Sequence, residues 1–384
     1  MAKYEAPELF ALLRSGLQGK PLGEAERAGI DLTRLPELTA LARKFDVEHL
    51  LALGLRQNGI SAQQKSVLVA ALRSQRLQDA QNQICAALEA AGIPFLPLKG
   101  AVLRHWYPEP WMRTSCDLDI LVHPEDIPKA SSVLLTQCGC ARAKADSHDV
   151  AFHTPNHSYV ELHFDLIEQG LVCRADQVLK SVWEAAILKE GSRFHYEMPD
   201  ALFYCYHVAH MAKHFAIGGC GIRPFLDLWI LDRLPQADEA GRTRLLQQAG
   251  PLPFAQAARL LSHAWFDGDT PQPLTVQMQS FILRGGLYCD NENRVAIGRH
   301  KEGGRLRYLL KRIFLPFRIL KYRYPVLQKH PWLAPLMQLR RWFGILFGGK
   351  FGRVRRDLAY GAGITDKESR ETKEFLENIG LLSR

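Results

Sequence analysis

The sequence predicts a mixed α/β (α+β) fold: a small mixed sheet flanked by an N-terminal and a C-terminal helical region. Three observations lead there. Apolar residues recur at helical spacing up to about residue 90, strand-like runs alternate with helical ones between 93 and 199, and helical spacing returns from Asp200. The divisions are placed at residues 1–91, 92–199 and 200–384, with a basic segment, 301–357, inside the last.

In the first region Leu35–Phe45 and Val47–Leu55 carry apolar side chains at helical spacing on either side of a break. Ala62–Leu88 is a longer helical stretch, ended where Gly92 offers a left-handed cap and Pro94 prevents continuation. This part reads as a helical bundle that supports the middle region. There, Ile93–Leu98 is a short strand running into Lys99-Gly100, and Ala101–Trp106 starts a helix. Asp117–Val122 is an alternating strand, and Pro124–Leu135 a helix with Asp126 placed to cap it. Ala151–His153 and Ser158–Asp165 are two more strands, joined by a turn at His153–His157. The last region opens with a helix over Ala201–Phe215, stopped by Gly218-Gly219, and another begins at Pro224.

Composition narrows the class. A chain of 384 residues suits two or three packed units, and 47% hydrophobic with 23% charged residues argues against large-scale disorder. No run of 18 uncharged apolar residues exists, so no transmembrane helix is expected. The N-terminal stretch lacks the apolar region of a signal peptide, which makes the cytoplasm the expected location. The eight cysteines form no CxxC pair, which argues against a zinc framework. The net charge is +9, yet residues 301–357 hold fifteen Lys/Arg against two Asp/Glu, leaving the remainder mildly acidic. Such a segment attracts nucleic acid or an anionic surface without choosing between them. Its interleaved aromatics suit base stacking, and Leu336–Phe347 also reads as a membrane-surface helix.

The chemistry centres on Asp117-x-Asp119. Residues two apart on a strand share a face, so the two carboxylates repel unless a cation sits between them. A divalent ion does this, and Mg²⁺ favours one or two carboxylates together with substrate phosphate oxygens. Glu161 is a third acid, set on a later strand between Val160 and Leu162, where burial without a partner is costly. Upstream, a strand enters Lys99-Gly100 and then a helix, an arrangement that receives polyphosphate. Arg113, four residues before the acid pair, adds a phosphate-binding cation.

These residues resemble a known family. Gly92–Gly100 and Arg113–Val122 are similar to the uncharacterised bacterial nucleotidyltransferase family of the DNA polymerase beta-like superfamily. Val160-Glu-Leu-His163 resembles its third-acid strand, Ala209–His214 with Arg223–Asp227 its downstream helices, and Leu41–Leu51 its N-terminal helical signature. The resemblance implies a nucleotidyltransferase core over 92–199, with Asp117, Asp119 and Glu161 as catalytic metal ligands and Gly100 at the nucleotide-contact turn. It implies a magnesium-dependent (or Mn²⁺-dependent) transfer of a nucleoside monophosphate from an NTP such as ATP, with release of pyrophosphate. The acceptor is left open among a protein, a sugar, a small molecule and RNA. One departure stands out: the superfamily has Gly-Ser at the turn, whereas Ala101 follows Gly100 here, and Lys99 is the residue placed to compensate. The competing reading is a binding protein that keeps the fold with weak catalysis and holds nucleic acid through 301–357.

Weaker candidates complete the set. His163 and Asp165 share a strand face with Glu161, His163 as a base or phosphate contact and Asp165 as a rival third ligand. His207, His210 and His214 fall on one helix face. A zinc reading lacks further ligands, so His210, Lys213 and His214 are read as contacts to nucleotide or phosphate. Arg223 and Asp227, four apart, are expected to pair on their helix.

Overall fold

The computed structural model describes residues 6–145, 149–168, 172–285 and 366–382, and, between the last two, Asn293, Ile297 and most of 314–347. Much of the basic segment 301–357 lies outside the described residues, as does Cys289; the seven described cysteines are free thiols.

Helices α1 (Pro7–Gln18), α2 (Glu24–Ala28), α3 (Leu35–Lys44), α4 (Glu48–Gln57) and α5 (Lys65–Ala90) open the described chain. The break between α3 and α4 falls at Asp46, a non-glycine residue with φ 55°. Its carboxylate accepts from Thr114 Oγ1 at 2.9 Å and from Arg73 at 3.1 Å, which holds the bend. Helix α5 ends as its sequence implies: Gly92 has φ 64°, and the Ile93 N–H donates back to the Leu88 carbonyl at 3.1 Å.

Beyond α5 come β1 (Phe95–Pro97), α6 (Gly100–Leu103), β2 (Asp117–Val122), α7 (Ile127–Thr136), β3 (Ala141–Ala145), β4 (Asp149–His153) and β5 (Tyr159–His163). The sheet order is β1-β2-β5-β4-β3. Strands β2 and β5 run parallel, and every other neighbouring pair is antiparallel. Two expectations are corrected here. Asp126 stands at the start of α7, but its side chain makes no capping bond, because a 3₁₀ turn over Pro124–Asp126 leads into the helix. Strand β3 was not anticipated: Ala-Arg-Ala-Lys-Ala has no β-branched or aromatic residue, and pairing with β4 makes it a strand.

The alternation along β2 divides the sheet into two unlike faces. Leu118, Ile120 and Val122, with Val160 and Leu162 of β5, pack against Ile84 and Leu88 of α5 and Ala130, Val133 and Leu134 of α7. Each fully buried aliphatic side chain contributes about 1.5–3 kcal/mol. The odd-numbered residues of both strands turn to the opposite face.

The rest is helical: α8 (Ala175–Leu179), α9 (Val182–Ala185), a short β6–β7 ladder (Ile187–Leu188 with Tyr196–Glu197), then α10 (Asp200–Phe215), α11 (Arg223–Leu231), α12 (Glu239–Ala249), α13 (Leu252–Phe266) and α14 (Pro273–Arg284). A second and larger core joins these helices to the N-terminal ones: Leu9, Leu13, Leu50 and Phe45 share one cluster with Phe215, Phe225, Phe254 and Phe281. Phe10 stacks on Trp265 with ring centroids 4.2 Å apart. Among the described residues no helix is long and apolar enough to cross a membrane.

Helices α1 and α4 meet backbone to backbone. A Cβ added at Gly54 would lie 1.9 Å from the Leu12 carbonyl oxygen, and one at Gly16 would lie 2.2 Å from that of Leu50. Neither neighbour is a side chain that can swing away. Gly54→Ala is therefore expected to lower stability by about 3 kcal/mol through overpacking, read from the urea unfolding midpoint.

Candidate active site

Strand register brings the acids together. Asp119 pairs with Glu161 and Asp117 with Tyr159 across the parallel β2–β5 ladder, so Asp117, Asp119, Glu161 and His163 project from one face. Asp119 is 2% exposed, and the structure supplies its compensation. Lys99 Nζ lies 3.0 Å from Asp119 Oδ1, and His163 Nε2 donates to the same oxygen at 2.9 Å. His163 Nε2 also lies 3.3 Å from Glu161 Oε2. Burial opposes ionisation of Asp119, but the Lys99 ammonium and the His163 hydrogen bond hold its carboxyl well below the usual range. Asp117 is pushed the other way, up to about 6, by burial and by the neighbouring Asp119.

Lys99 reaches Asp119 from an uncommon backbone conformation, φ 44° and ψ −117°. For a non-glycine residue this costs on the order of 1–3 kcal/mol. Two hydrogen bonds pin it: the Leu98 N–H donates to the Asp119 carbonyl at 2.9 Å, and the Leu103 N–H to the Lys99 carbonyl at 2.8 Å. The turn folds the chain from β1 straight into α6 and drops the ammonium over the acid face. Gly100 fits closely against Ser115: a Cβ there would lie 3.0 Å from Ser115 Cβ and 3.1 Å from its hydroxyl, so that Ser115 would have to shift by a few tenths of an ångström. Behind the turn the buried Arg104 donates through Nε to the Gly100 carbonyl at 2.8 Å, and its Nη1 has no partner. Burial and the adjacent Arg113 bring the Arg104 pKa down to about 10.

Arg113 is engaged by Asp227, which is 0% exposed: Nε donates to Oδ1 and Nη2 to Oδ2, both at 2.9 Å, while Nη1 donates to the Thr114 carbonyl at 2.8 Å. The Tyr107 hydroxyl donates to the same carboxylate at 2.7 Å. The expected Arg223–Asp227 pair is thus corrected. Arg223 turns instead to the Thr114 carbonyl and Asp46, while Asp227, inside the core, is met by Arg113 and Tyr107.

Helix α10 lies over the acid face. Tyr206, His210, Lys213 and His214 follow the helical repeat along one side of it. Lys99, Asp119, Asp117 and Glu161 all act electrostatically on Tyr206, whose buried hydroxyl has no hydrogen-bond partner. His210 and His214 face each other with Nε2 atoms 3.3 Å apart. Burial and then Lys99 push His210 far below its ordinary value, and burial with Lys213 brings His214 to about 4. Both imidazoles are therefore neutral at pH 7. Lys213 pairs with Glu168 at 3.0 Å. His207 turns away from them, with Nε2 3.2 Å from the Pro224 carbonyl.

Asp119, Glu161 and His163 bring ligand atoms within 4.8 Å of one another, a set able to hold a metal ion. Asp117, the other predicted ligand, is not in that group, although it shares the face two residues before Asp119 and interacts electrostatically with Asp119 and Glu161; Asp165 lies beyond the end of β5. Sequence reasoning missed Tyr206, Arg104 and Ser115. A tyrosine and an arginine inside apolar helical runs carry no signal of their own, and Ser115 becomes relevant only once the fold sets it against Gly100.

Clustered carboxylates beside a half-buried lysine, on a strand–turn–helix unit, are the residue types that phosphoryl transfer uses. The chain belongs to the uncharacterised nucleotidyltransferase family, whose model matches residues 32–267, more than half its length. It is thus an enzyme of the nucleotidyltransferase class. A search of curated proteins found no match. Among solved structures the chain is similar to the antibiotic-resistance factor ANT(2'')-Ia at 9% identity, over 51% of this chain and 94% of that one, with a TM-score of 0.27. A likeness that faint carries no conclusion about substrate.

The buried Arg113–Asp227 pair yields a stability test. Asp227→Ala leaves a guanidinium buried without its carboxylate and is expected to cost about 3–5 kcal/mol. Replacing all three partners, as Tyr107→Phe, Arg113→Met and Asp227→Leu, should recover most of that loss in chemical denaturation.

Proposed function

We propose that this enzyme transfers a nucleoside monophosphate from an NTP to an acceptor hydroxyl or phosphate, in a Mg²⁺-dependent reaction that releases pyrophosphate. The observation carrying the proposal is the convergence of Asp119, Glu161 and His163 within 4.8 Å, with Asp117 beside them and Lys99 on Asp119. The donor set fits such an ion. It is rich in carboxylate oxygen, as Mg²⁺ or Mn²⁺ prefers. Asp117, Asp119 and Glu161 would hold the metal, with His163 orienting the two last. When bound, the ion offsets charge on the phosphates and lowers the pKa of the attacking group.

The chain's own residues do the remaining work. Lys99 and the Gly100 turn hold the phosphates, and the strained, pinned backbone of Lys99 keeps its ammonium in place without reorganisation. Ser115, buried against the turn, accepts from Arg104 Nη2 at 3.4 Å and supports the turn from behind. Arg113 acts by position: locked to Asp227, it fixes residues 113–115 beneath the turn. Tyr206 offers an unpaired hydroxyl to a substrate oxygen, and the neutral His210 and His214 add hydrogen bonds without charge. Lys213, tied to Glu168, lines the same cleft. The sequence regions then have distinct roles: 1–91 as support, 92–199 as catalytic core, and, in the third, helix α10 as cover over the acid face.

Two measurements test this. Titration with each NTP, with and without Mg²⁺, should show metal-dependent binding that Asp117→Asn/Asp119→Asn abolishes; no binding to any NTP by folded wild type sinks the proposal. Tyr206→Phe should leave the unfolding midpoint of the ligand-free protein unchanged or raised by up to about 1 kcal/mol, since it removes an unpaired buried hydroxyl. The same change should shrink the thermal shift produced by the NTP that binds.

A further inference from the structure

The C-terminal part carries a surface that nucleotidyl transfer does not use. Helix Ala334–Phe347 rests through Met337 on Leu320 and Leu327, with Leu333 and Ala334 packed beside them. Its other side is open. Trp332, in the turn that leads into the helix, is 75% exposed, and Leu336 and Leu339, one helical turn apart, are 54% and 46% exposed. Arg340 and Lys329 stand exposed around them. In the sequence this face lies within a strongly basic stretch: residues 303–356 contain fourteen Lys/Arg and no Asp or Glu.

We propose that this face docks on an anionic phospholipid surface, with Trp332, Leu336 and Leu339 entering the headgroup–acyl boundary and the surrounding Lys and Arg pairing with headgroups. A partner for it must be apolar where the leucines are and negative everywhere around them. Nucleic acid meets the second demand only: Trp332 and Phe343 offer it rings, but the aliphatic Leu336 and Leu339 between them would find no apolar surface to enter. A second copy of the chain meets the first only, because two acid-free basic segments brought face to face repel. An anionic bilayer meets both, and an indole at the edge of an apolar helix face suits its interface. The enzyme would then work at a membrane surface it does not cross.

The test is flotation of the full-length protein with vesicles of phosphatidylcholine alone or mixed with phosphatidylserine. Binding to the mixed vesicles should be stronger by about tenfold or more and should fall with salt. Leu336→Asn/Leu339→Asn keeps every charge and is expected to cut that binding about tenfold while NTP binding is unchanged. Equal flotation of variant and wild type overturns the proposal, as does absence of flotation. Salt-dependent binding to single-stranded RNA that the variant retains, with no flotation, assigns the segment to nucleic acid. A wild-type dimer that the variant dissociates, again with no flotation, assigns the face to a second copy.

Discussion

The whole site depends on keeping a carboxylate ionised in the middle of a sheet. Asp119 belongs to a strand with two hydrogen-bonded neighbours and is almost fully removed from water. Ionisation under those conditions needs positive charge at contact distance. Lys99 supplies it from a turn that a lysine rarely makes, and His163 supplies the second contact from the adjacent strand. The parallel β2–β5 register sets which residues meet. A slip of one residue would send the acids into the apolar face beneath α5 and α7 and lift Leu118 and Ile120 into the cleft. Fold and chemistry are therefore specified by the same alternation.

The helical part serves this face in two ways. The large core draws residues from α1 and α4 as well as α10, α11 and α13, so the helices over the acids are braced by segments far away in sequence. Asp227 of α11 then reaches into the turn region, where Arg113 grips it with two parallel hydrogen bonds and Tyr107 adds a third. Bidentate geometry of this kind fixes direction as well as distance. The segment that carries Ser115 towards Gly100 is thereby tied to the covering helices.

Local pattern made part of this legible. Strand β2 was bounded by its own alternation, α5 by its glycine, and the shared face of Asp117 and Asp119 followed from a period of two, while Glu161 came through the family resemblance and the β2–β5 register sets it beside Asp119. What escaped depended on partners distant in the chain. Strand β3 exists because β4 pairs with it. Asp227 looked committed to Arg223 four residues away, yet its partner is 114 residues upstream. His207, His210 and His214 share a helix face by spacing, but packing against α11 separates His207 from the other two. Tyr206 looked like one more apolar position in a buried helix, and only the unpaired state of its hydroxyl marks it out.

The Lys99–Asp119 contact also bears on how the protein comes into being. By carrying a counter-ion of its own at the acid face, the chain can complete its sheet without waiting for a cation from solution. Architecture and activity are in this way uncoupled. The protein's own lysine stands where a bound cation would otherwise have to, so a chelator is expected to leave the shape intact.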